Sequence, residues 1–240
     1  MTTAALTDFD ILTFDCYGTL IDWERGILAA LHQVLDKRGV APADDQLLEA
    51  FARFEAAAEA GPYLQYRAVL ARALLGVAGE LGVEPTPDEV KRFSESVGEW
   101  PAFPDSVDAL ALLATRFRLG VITNCDTDLF ARSNERLGVR FDRVITAEQL
   151  GSYKPNPRNF ELALAQIGGP RSGHLHVAQS LYHDHVPAQA LGLTTAWINR
   201  RHGRAGSGAT PPAEATPDFV FPDMATFAAA AIEPEATTGA

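Results

Sequence analysis

The chain alternates between short apolar runs that end in polar residues and longer segments with the spacing of amphipathic helices. Residues 10–14 form the first apolar run, which stops at Asp15. A short run that is apolar at successive positions is typical of a strand buried on both faces of a parallel sheet. Runs of the same kind lie at 119–123, 144–146, 175–178, 194–198 and 219–221. We therefore predict six buried strands.

Helical patterns separate these strands unevenly along the chain. Residues 23–101 contain only helical patterns, at 24–38, 44–60, 63–82 and 86–98. From residue 105 onward strands alternate with helices, which are predicted at 105–113, 159–167 and 186–191. Such alternation indicates an α/β fold, with a Rossmann-like parallel sheet core and helices on both faces. The first strand belongs to that sheet, so the all-helical residues are predicted to be an insert after it.

This arrangement predicts two structural units. The core is expected to comprise residues 1–22 and 102–232, and the all-helical insert residues 23–101. Residues 204–217 are rich in Gly, Ala, Thr and Pro and are expected to form a loop. The last residues, 233–240, are small, polar and acidic, and a disordered tail is predicted there.

The overall charge narrows the classes of partner. Thirty-one Asp and Glu against 20 Lys and Arg give the 240-residue chain a net charge of −11. This balance argues against nucleic-acid binding, since phosphate backbones attract clustered Lys and Arg. No apolar run is long enough to span a membrane, and no basic segment precedes an apolar leader at the N-terminus. Two cysteines do not make a disulfide framework. We expect a cytoplasmic enzyme.

Polar side chains follow the predicted strands at the points where the strands end. In open parallel α/β sheets, ligands bind outside the carboxyl ends of the strands. The residues that fall there are Asp15, Tyr17, Gly18 and Thr19 after the first strand, Thr123 and Asn124 after the second, Lys154 after the third, and Gln179, Ser180, Tyr182, His183 and Asp184 after the fourth. These residues are therefore the candidate catalytic and substrate-binding groups.

Four segments carry these residues in a fixed order. They are residues 14–20 (Phe-Asp-Cys-Tyr-Gly-Thr-Leu), 122–124 (Ile-Thr-Asn), 153–155 (Tyr-Lys-Pro) and 177–184. In this order and at this spacing they resemble the motifs of the haloacid dehalogenase superfamily, whose hydrolases use an aspartate nucleophile. The resemblance covers nearly the whole chain. It implies that the helical insert is the family's four-helix cap, which closes over the active site.

Two positions distinguish between branches of this superfamily. Its phosphatases share a second Asp two residues after the nucleophile and a Mg²⁺-binding Asp at the start of the fourth motif, whereas this chain has Tyr17 and Gln179 there. A phenol is a poor proton shuttle at neutral pH, and a neutral amide is a weak Mg²⁺ ligand. The chain thus resembles the metal-independent 2-haloacid dehalogenases of type II, as does its segment 197–200 (Trp-Ile-Asn-Arg). We expect neither a metal ion nor another cofactor.

This resemblance implies a covalent mechanism. Asp15 would displace halide from C2 of a small 2-haloacid, and water would hydrolyse the resulting aspartyl ester to a 2-hydroxy acid. Lys154 would position Asp15 and offset its charge. Asp184 would orient Lys154 or activate the water.

The resemblance also implies how the substrate is bound. Thr19, the amides around Gly18, Thr123 and Asn124 would bind the substrate carboxylate. In the dehalogenases an arginine of the second cap helix points at the halide.

Arg53 matches that arginine best by position, and Arg67 is the fallback. The acidic residues of the same predicted helix, including Glu55 and Glu59, are expected to lie on a solvated surface.

The fourth motif departs from the dehalogenase pattern. The best-known members have Ser-Ser-Asn-x-x-Asp, whereas residues 179–184 read Gln-Ser-Leu-Tyr-His-Asp. Leu181 replaces an active-site asparagine, and Tyr182 or His183 could supply the lost polar group. This departure leaves the identity of the substrate less determined than the mechanism.

Three alternative functions follow from the same residues. The same attack could open a strained ring at C2 of a small acid, the chain could be a Mg²⁺-dependent phosphatase, or it could be an inactive binding protein that has kept the pocket. Released halide, turnover sensitive to EDTA, and absence of turnover would distinguish them. The expected partners are a small carboxylic acid and halide, and the resemblance suggests a homodimer.

Overall fold

The computed structural model describes residues 4–204, 206 and 208–232. Its strands are β1 (Ile11–Phe14), β2 (Arg118–Thr123), β3 (Arg143–Thr146), β4 (His174–Ala178), β5 (Thr194–Ile198) and β6 (Phe219–Phe221). They form one parallel sheet in the order β3-β2-β1-β4-β5-β6. All six predicted strands and the α/β fold class are confirmed, but β6 lies at the edge of the sheet and is only partly buried, with Val220 57% exposed.

Helices of the core cover both faces of this sheet, whereas helices of the insert lie over its carboxyl edge. Those of the insert are α1 (Trp23–Leu35), α2 (Asp44–Glu59), α3 (Tyr66–Glu80) and α4 (Pro87–Glu95). Those that follow are α5 (Ser106–Leu113), α6 (Thr127–Leu137), α7 (Ala147–Leu150), α8 (Pro157–Ile167), α9 (Val186–Ala190) and α10 (Met224–Ile232). None of the helices in the described part of the chain is long and apolar enough to cross a membrane.

The central strand β1 explains why its sequence is apolar at successive positions. Its four residues are all buried, and their side chains alternate between the two faces of the sheet. Ile11 packs in a cluster with Phe160 of α8. Leu12 and Phe14 belong to a second cluster on the other face.

Parallel register brings the strand ends to one edge of the sheet. Phe14 pairs with Val121 of β2 and with Val177 of β4, so the residue after β1 lies beside the last residues of its two neighbours. The carboxyl ends of the central strands therefore meet at the edge where the sequence places its polar groups.

The insert is tied to this edge by a carboxylate. Asp126, in the loop after β2, accepts hydrogen bonds from the backbone N–H groups of Tyr66 at 2.7 Å and Arg67 at 3.1 Å. These N–H groups belong to the first turn of α3, where a helix has no internal acceptors for them. A core side chain thus completes the N-terminus of an insert helix.

Three helices of the structure were not predicted from the sequence. α6 is polar on average but amphipathic, with Leu129, Phe130 and Leu137 buried on one face, and the prediction missed this pattern. α7 is a single turn, and α10 is apolar at most positions and has no clear polar face. In addition, the helix predicted at 63–82 begins at Tyr66, after an extended Gln65.

The predicted loop, the division into core and cap, and the predicted tail have different outcomes. The described residues between 204 and 217 form neither helix nor strand, in agreement with the predicted loop. The division into a core of 1–22 and 102–232 and a cap of 23–101 stays a prediction. The tail predicted at 233–240 lies outside the described residues.

Candidate active site

A tight turn after β1 positions Asp15 at the edge of the sheet. The Asp15 N–H donates to the carbonyl of Val177 at 3.1 Å, which holds the start of the turn against β4. Gly18 has a φ of 93°, a conformation that residues with a Cβ rarely adopt. The turn brings the Thr19 hydroxyl back to donate to Oδ2 of Asp15 at 2.7 Å.

Lys154 joins the two carboxylates of the site. Its Nζ donates to Oδ1 of Asp15 at 2.9 Å, to Oδ1 of Asp184 at 2.7 Å and to the carbonyl of Ile122 at 2.8 Å. These bonds use all three donors of the ammonium group. Burial lowers the pKa of Lys154, but its attraction to Asp15 and Asp184 outweighs burial and raises the pKa above its usual value. Lys154 is therefore charged.

Asp184 lies at the start of the helical segment after β4 and is fully buried. Burial alone would raise the pKa of this carboxyl, but Lys154 and His176 together lower it. The His176 ring nitrogen Nε2 lies 2.9 Å from Oδ1, and its Nδ1 lies 2.9 Å from the Thr13 hydroxyl. Oδ2 of Asp184 has no hydrogen-bond partner among the described residues.

The nucleophile candidate Asp15 is in a balance of opposing effects. Burial raises its pKa most, the positive charge of Lys154 lowers it, and Asp184 raises it again. The lysine and the Thr19 hydroxyl both bind the carboxylate form. The net result is a pKa of Asp15 above its usual value. Lys154 and Thr19 fix the orientation of this desolvated carboxyl group, and desolvation and fixed orientation both favour nucleophilic attack by its ionised form.

A small cavity lies in front of Asp15; the space inside it, counted together with its opening to solvent, is about 370 Å³. The strand ends contribute one side of the wall and helices α1, α2 and α3 contribute the other. Its lining residues are Asp15, Tyr17, Trp23, Glu55, Glu59, Tyr66, Asn124, Lys154, Ser180, His183 and Asp184.

The cavity brings together part of the predicted substrate-binding set. Tyr17, Asn124, Ser180 and His183 line it, together with the three predicted catalytic residues. The hydroxyl of Tyr17 contacts Ser133 at 3.0 Å, and burial raises the pKa of Tyr17 well above its usual value.

Other predicted residues lie behind or beside the cavity. Thr19 supports Asp15, and its hydroxyl also accepts the N–H of Gln179 at 2.9 Å. The Gln179 side chain accepts a hydrogen bond from Thr210 at 3.3 Å. Thr123 is buried, and its hydroxyl has no hydrogen-bond partner in the described part of the chain. Tyr182 lines a neighbouring cleft.

The position of His183 is fixed by Ser180, a residue of the same motif. Its Nδ1 lies 3.1 Å from the Ser180 hydroxyl, which also accepts the backbone N–H of His183 at 2.9 Å. Burial lowers the pKa of His183 to about 4, so the ring is neutral at pH 7. Its Nε2 lies 3.9 Å from Oε2 of Glu59, across the cavity.

The assignment of Arg53 to the substrate is wrong. Arg53 pairs with Glu80 of α3 at 2.8 Å, its side chain is 59% exposed, and it does not line the cavity. On a helix, two residues that are two positions apart point to nearly opposite sides, and Glu55 is the residue that faces the cavity. The fallback, Arg67, is bound to Asp126 at 3.0 Å and to Asp128.

Two residues that the sequence assigned to a solvated surface line the cavity instead. Glu55 is 3% exposed and accepts a hydrogen bond from the Tyr66 hydroxyl at 2.6 Å. The Glu59 side chain is 7% exposed. Their i, i+4 spacing on the face that also carries the buried Phe51 was the signal that could have indicated burial.

Burial raises the pKa of both of these glutamates. It raises the pKa of Glu55 to about 7, although the bond from Tyr66 lowers it. Burial and the charge of Glu55 raise the pKa of Glu59 well above its usual value, against the attraction of Lys154. Across the residues that the structure describes, no cluster of three or more His, Cys, Asp or Glu side chains is arranged to hold a metal ion.

Comparison with known proteins finds dehalogenases over most of the chain and phosphatases over shorter stretches. The family model described as haloacid dehalogenase-like hydrolase matches residues 9–177. The (S)-2-haloacid dehalogenase of Pseudomonas putida is 27% identical over 80% of this chain and 85% of its own length. Haloacetate dehalogenase H-2 of Moraxella sp. strain B is 28% identical over 90% of this chain and 94% of its own length.

A solved structure shares the fold. The L-2-haloacid dehalogenase from Xanthobacter autotrophicus with chloropropionic acid covalently bound superposes with a TM-score of 0.75. It is 20% identical in sequence, and the match covers 92% of this chain and 97% of that one.

Proposed function

The chain belongs to the haloacid dehalogenase-like hydrolases, and we propose that it hydrolyses a small 2-haloacid, with Asp15 as the nucleophile that displaces halide from C2. The observation that carries this proposal is the Asp15 carboxylate, which is bound by Lys154 at 2.9 Å and by Thr19 at 2.7 Å and faces a small cavity. The relatives named as 2-haloacid and haloacetate dehalogenases support this substrate class.

The first step is a displacement at carbon. A carboxylate oxygen of Asp15 forms a bond to C2, and the bond from C2 to the halogen breaks with its electron pair on the halide. The products of this step are an aspartyl ester and a halide ion. Because halide leaves as an anion, this step needs no proton donor, and Tyr17 can occupy the position of the acid used by the phosphatases.

The second step is hydrolysis of the ester at the carboxyl carbon of Asp15. Oδ2 of Asp184 is buried and has no partner among the described residues, so it is available to accept a proton from water. Its Oδ1 remains bound to Lys154 and His176. Attack at this carbon breaks its bond to the ester oxygen of the substrate, and the proton taken from water passes to that leaving oxygen. The Asp15 carboxyl group is restored and a 2-hydroxy acid is released.

Two residues argue against phosphate-ester hydrolysis. The hydroxyl of Tyr17 is bound to Ser133 and its pKa is well above 10, so it is a poor acid for a leaving alkoxide. Gln179 stands at the position of the metal-binding Asp, and its side chain is bound to Thr210. Neither residue supplies what phosphoryl transfer needs.

Residues 23–101 are proposed to act as a cap over this site. Helices α1, α2 and α3 contribute Trp23, Glu55, Glu59 and Tyr66 to the cavity wall opposite Asp15. The cap excludes water and so strengthens the electrostatic interactions around the nucleophile.

A single-turnover experiment in ¹⁸O-water tests the proposal. Enzyme in excess over 2-chloropropanoate should release chloride, and peptide mass analysis should find ¹⁸O in the Asp15 side chain. The hydroxyl of the lactate from this first turnover should carry unlabelled oxygen from Asp15. Label in lactate alone would mean that water attacks C2 directly, and turnover of p-nitrophenyl phosphate with no chloride release would favour a phosphatase.

A further inference from the structure

The cap side of the cavity carries carboxyl groups opposite the nucleophile. A purely anionic substrate would be bound better by a positively charged side chain there. Glu55 and Glu59 of α2 line the same cavity as Asp15 and Asp184. Lys154 is the one lysine or arginine among the described lining residues, and its three donors are already used by Asp15, Asp184 and a carbonyl. The cavity therefore has more carboxyl groups than positive charges.

Glu59 is the least satisfied of these carboxyls. Asn124 Nδ2 lies 3.4 and 3.5 Å from its two oxygens, and His183 Nε2 lies 3.9 Å away. By contrast, Glu55 accepts a short bond from Tyr66 at 2.6 Å. A carboxyl that is more than nine-tenths buried normally has close partners, because burial without them has a high free-energy cost.

One carboxylate oxygen of Asp184 in this cavity has no partner among the described residues. Oδ2 of Asp184 is buried, lines the cavity and has no hydrogen bond from any described residue. Two acceptors with unused capacity thus face one small space. The chemistry that suits such a space is a ligand with N–H donors and a positive charge.

A neighbouring cleft also has groups that suit a positively charged ligand. A cleft of about 940 Å³ shares Glu59 and Lys154 with the active-site cavity. Tyr63, Tyr153 and Tyr182 line this cleft, and aromatic faces attract ammonium groups. Arg158 also lines it but is exposed.

We propose that Glu59 binds a basic nitrogen of the substrate, so that the acid hydrolysed at Asp15 carries an ammonium group as well as its carboxylate. This inference rests on the proposed function for the carboxylate and the leaving group. It adds the substrate class, an amino-substituted acid, and it assigns to Glu59 the role of specificity residue. An ammonium group beside Glu59 would stabilise its carboxylate form and offset the cost of burying it.

Paired unreactive ligands test this on the wild-type protein by titration calorimetry. The pairs are 3-aminopropanoate against propanoate and 4-aminobutanoate against butanoate, which differ only in the ammonium group. In at least one pair, the ammonium-bearing member should bind about tenfold tighter or more. Equal affinities in both pairs would overturn the proposal, whatever the variants do.

The variant Glu59→Gln tests whether Glu59 causes the preference for the ammonium-bearing ligand. It should reduce the difference within the pair to about twofold and leave the binding of propanoate and butanoate unchanged. Glu49→Gln is the matched control, since Glu49 is an exposed residue of the same helix and does not line the cavity. Loss of propanoate binding in Glu59→Gln would make Glu59 a neutral hydrogen-bond donor to the acid and overturn its assignment to the ammonium group.

The same samples separate this inference from the proposed function. Chloride release from 2-chloropropanoate without any preference for ammonium would refute the inference and leave the dehalogenase proposal standing. A preference for ammonium that depends on Glu59, without chloride release from either 2-chloropropanoate or 3-amino-2-chloropropanoate, would refute halide displacement and leave the role of Glu59 standing.

Discussion

Lys154 and Asp15 form a buried ion pair of 2.9 Å although 139 positions separate them in the sequence. Asp15 follows β1 and Lys154 lies in the loop after α7, so the pair forms only when the sheet assembles with its strand ends at one edge. The lysine fixes the carboxylate and reduces the electrostatic cost of its burial. Stability and the candidate chemistry thus depend on one contact.

Asp15→Asn is expected to abolish turnover. An amide is a much weaker nucleophile than a carboxylate, so chloride release from 2-chloropropanoate should fall by about 10³-fold or more. Asp10→Asn is the control, because Asp10 is an exposed residue at the other end of β1 and should leave the rate unchanged. Chloride release by Asp15→Asn at the wild-type rate would remove Asp15 from the mechanism.

Lys154→Met should destabilise the protein. It leaves Asp15 and Asp184 buried without their shared cation, and breaking a buried ion pair in this way costs about 3–5 kcal/mol. The free energy of unfolding in urea measures the loss. Lys37→Met, which removes a lysine that is 58% exposed and pairs with Glu89 at 3.2 Å, should cost less than about 1 kcal/mol. Similar losses in both variants would contradict the central position of Lys154.

Glu55 should make a contribution to stability that is lost as the pH rises from about 4.5 to about 7. The folded-state pKa of Glu55 is raised to about 7, above the 4.5 of an unburied glutamate. In this window the unfolded chain loses the Glu55 proton while the folded chain keeps it, so the contribution of Glu55 favours unfolding as the pH rises. His183 and His185 contribute with the opposite sign over part of the same window, because burial lowers the pKa of each to about 4.

Glu55→Gln isolates this contribution, since glutamine does not titrate and can still accept the bond from Tyr66. Across the window, the unfolding free energy of the variant should fall less or rise more than that of the wild type, by an amount on the order of 3 kcal/mol for a shift of this size. Identical pH profiles for the two proteins would show that Glu55 does not titrate differently on folding.

Arg53→Ala should have little effect. The Arg53 side chain is exposed and its pair with Glu80 lies on the surface, so the stability change should be below about 1 kcal/mol. The rate of chloride release should stay within about twofold of wild type, because the residue does not line the cavity. A severe loss of turnover in a folded Arg53→Ala would restore this residue as the halide-binding cation.

The sequence predicted the parts of this molecule that depend on local pattern. Buried parallel strands are apolar at successive positions, and the residues after them meet because parallel strands end at one edge. This reasoning placed Asp15, Lys154 and Asp184 together, and the structure connects them through the Lys154 ammonium.

The parts that it missed depend on which surface covers a helix. Glu55 and Glu59 read as solvated because carboxyl groups usually are, and only the packing of α2 over the strand ends buries them. Arg53 was assigned by its position relative to a family pattern, and its direction on the helix excludes it from the cavity. The helix α6 is mostly polar, but it is amphipathic, so its pattern was present in the sequence and was missed.

The contact of Asp126 with the first turn of α3 has a consequence for turnover. Moving the helix away from the sheet would break its bonds to the Tyr66 and Arg67 amides and leave a carboxylate and two donors to be satisfied by solvent. The same carboxylate therefore adds to the free energy that would be needed to separate α3 from the sheet, and so limits any turnover that requires this separation.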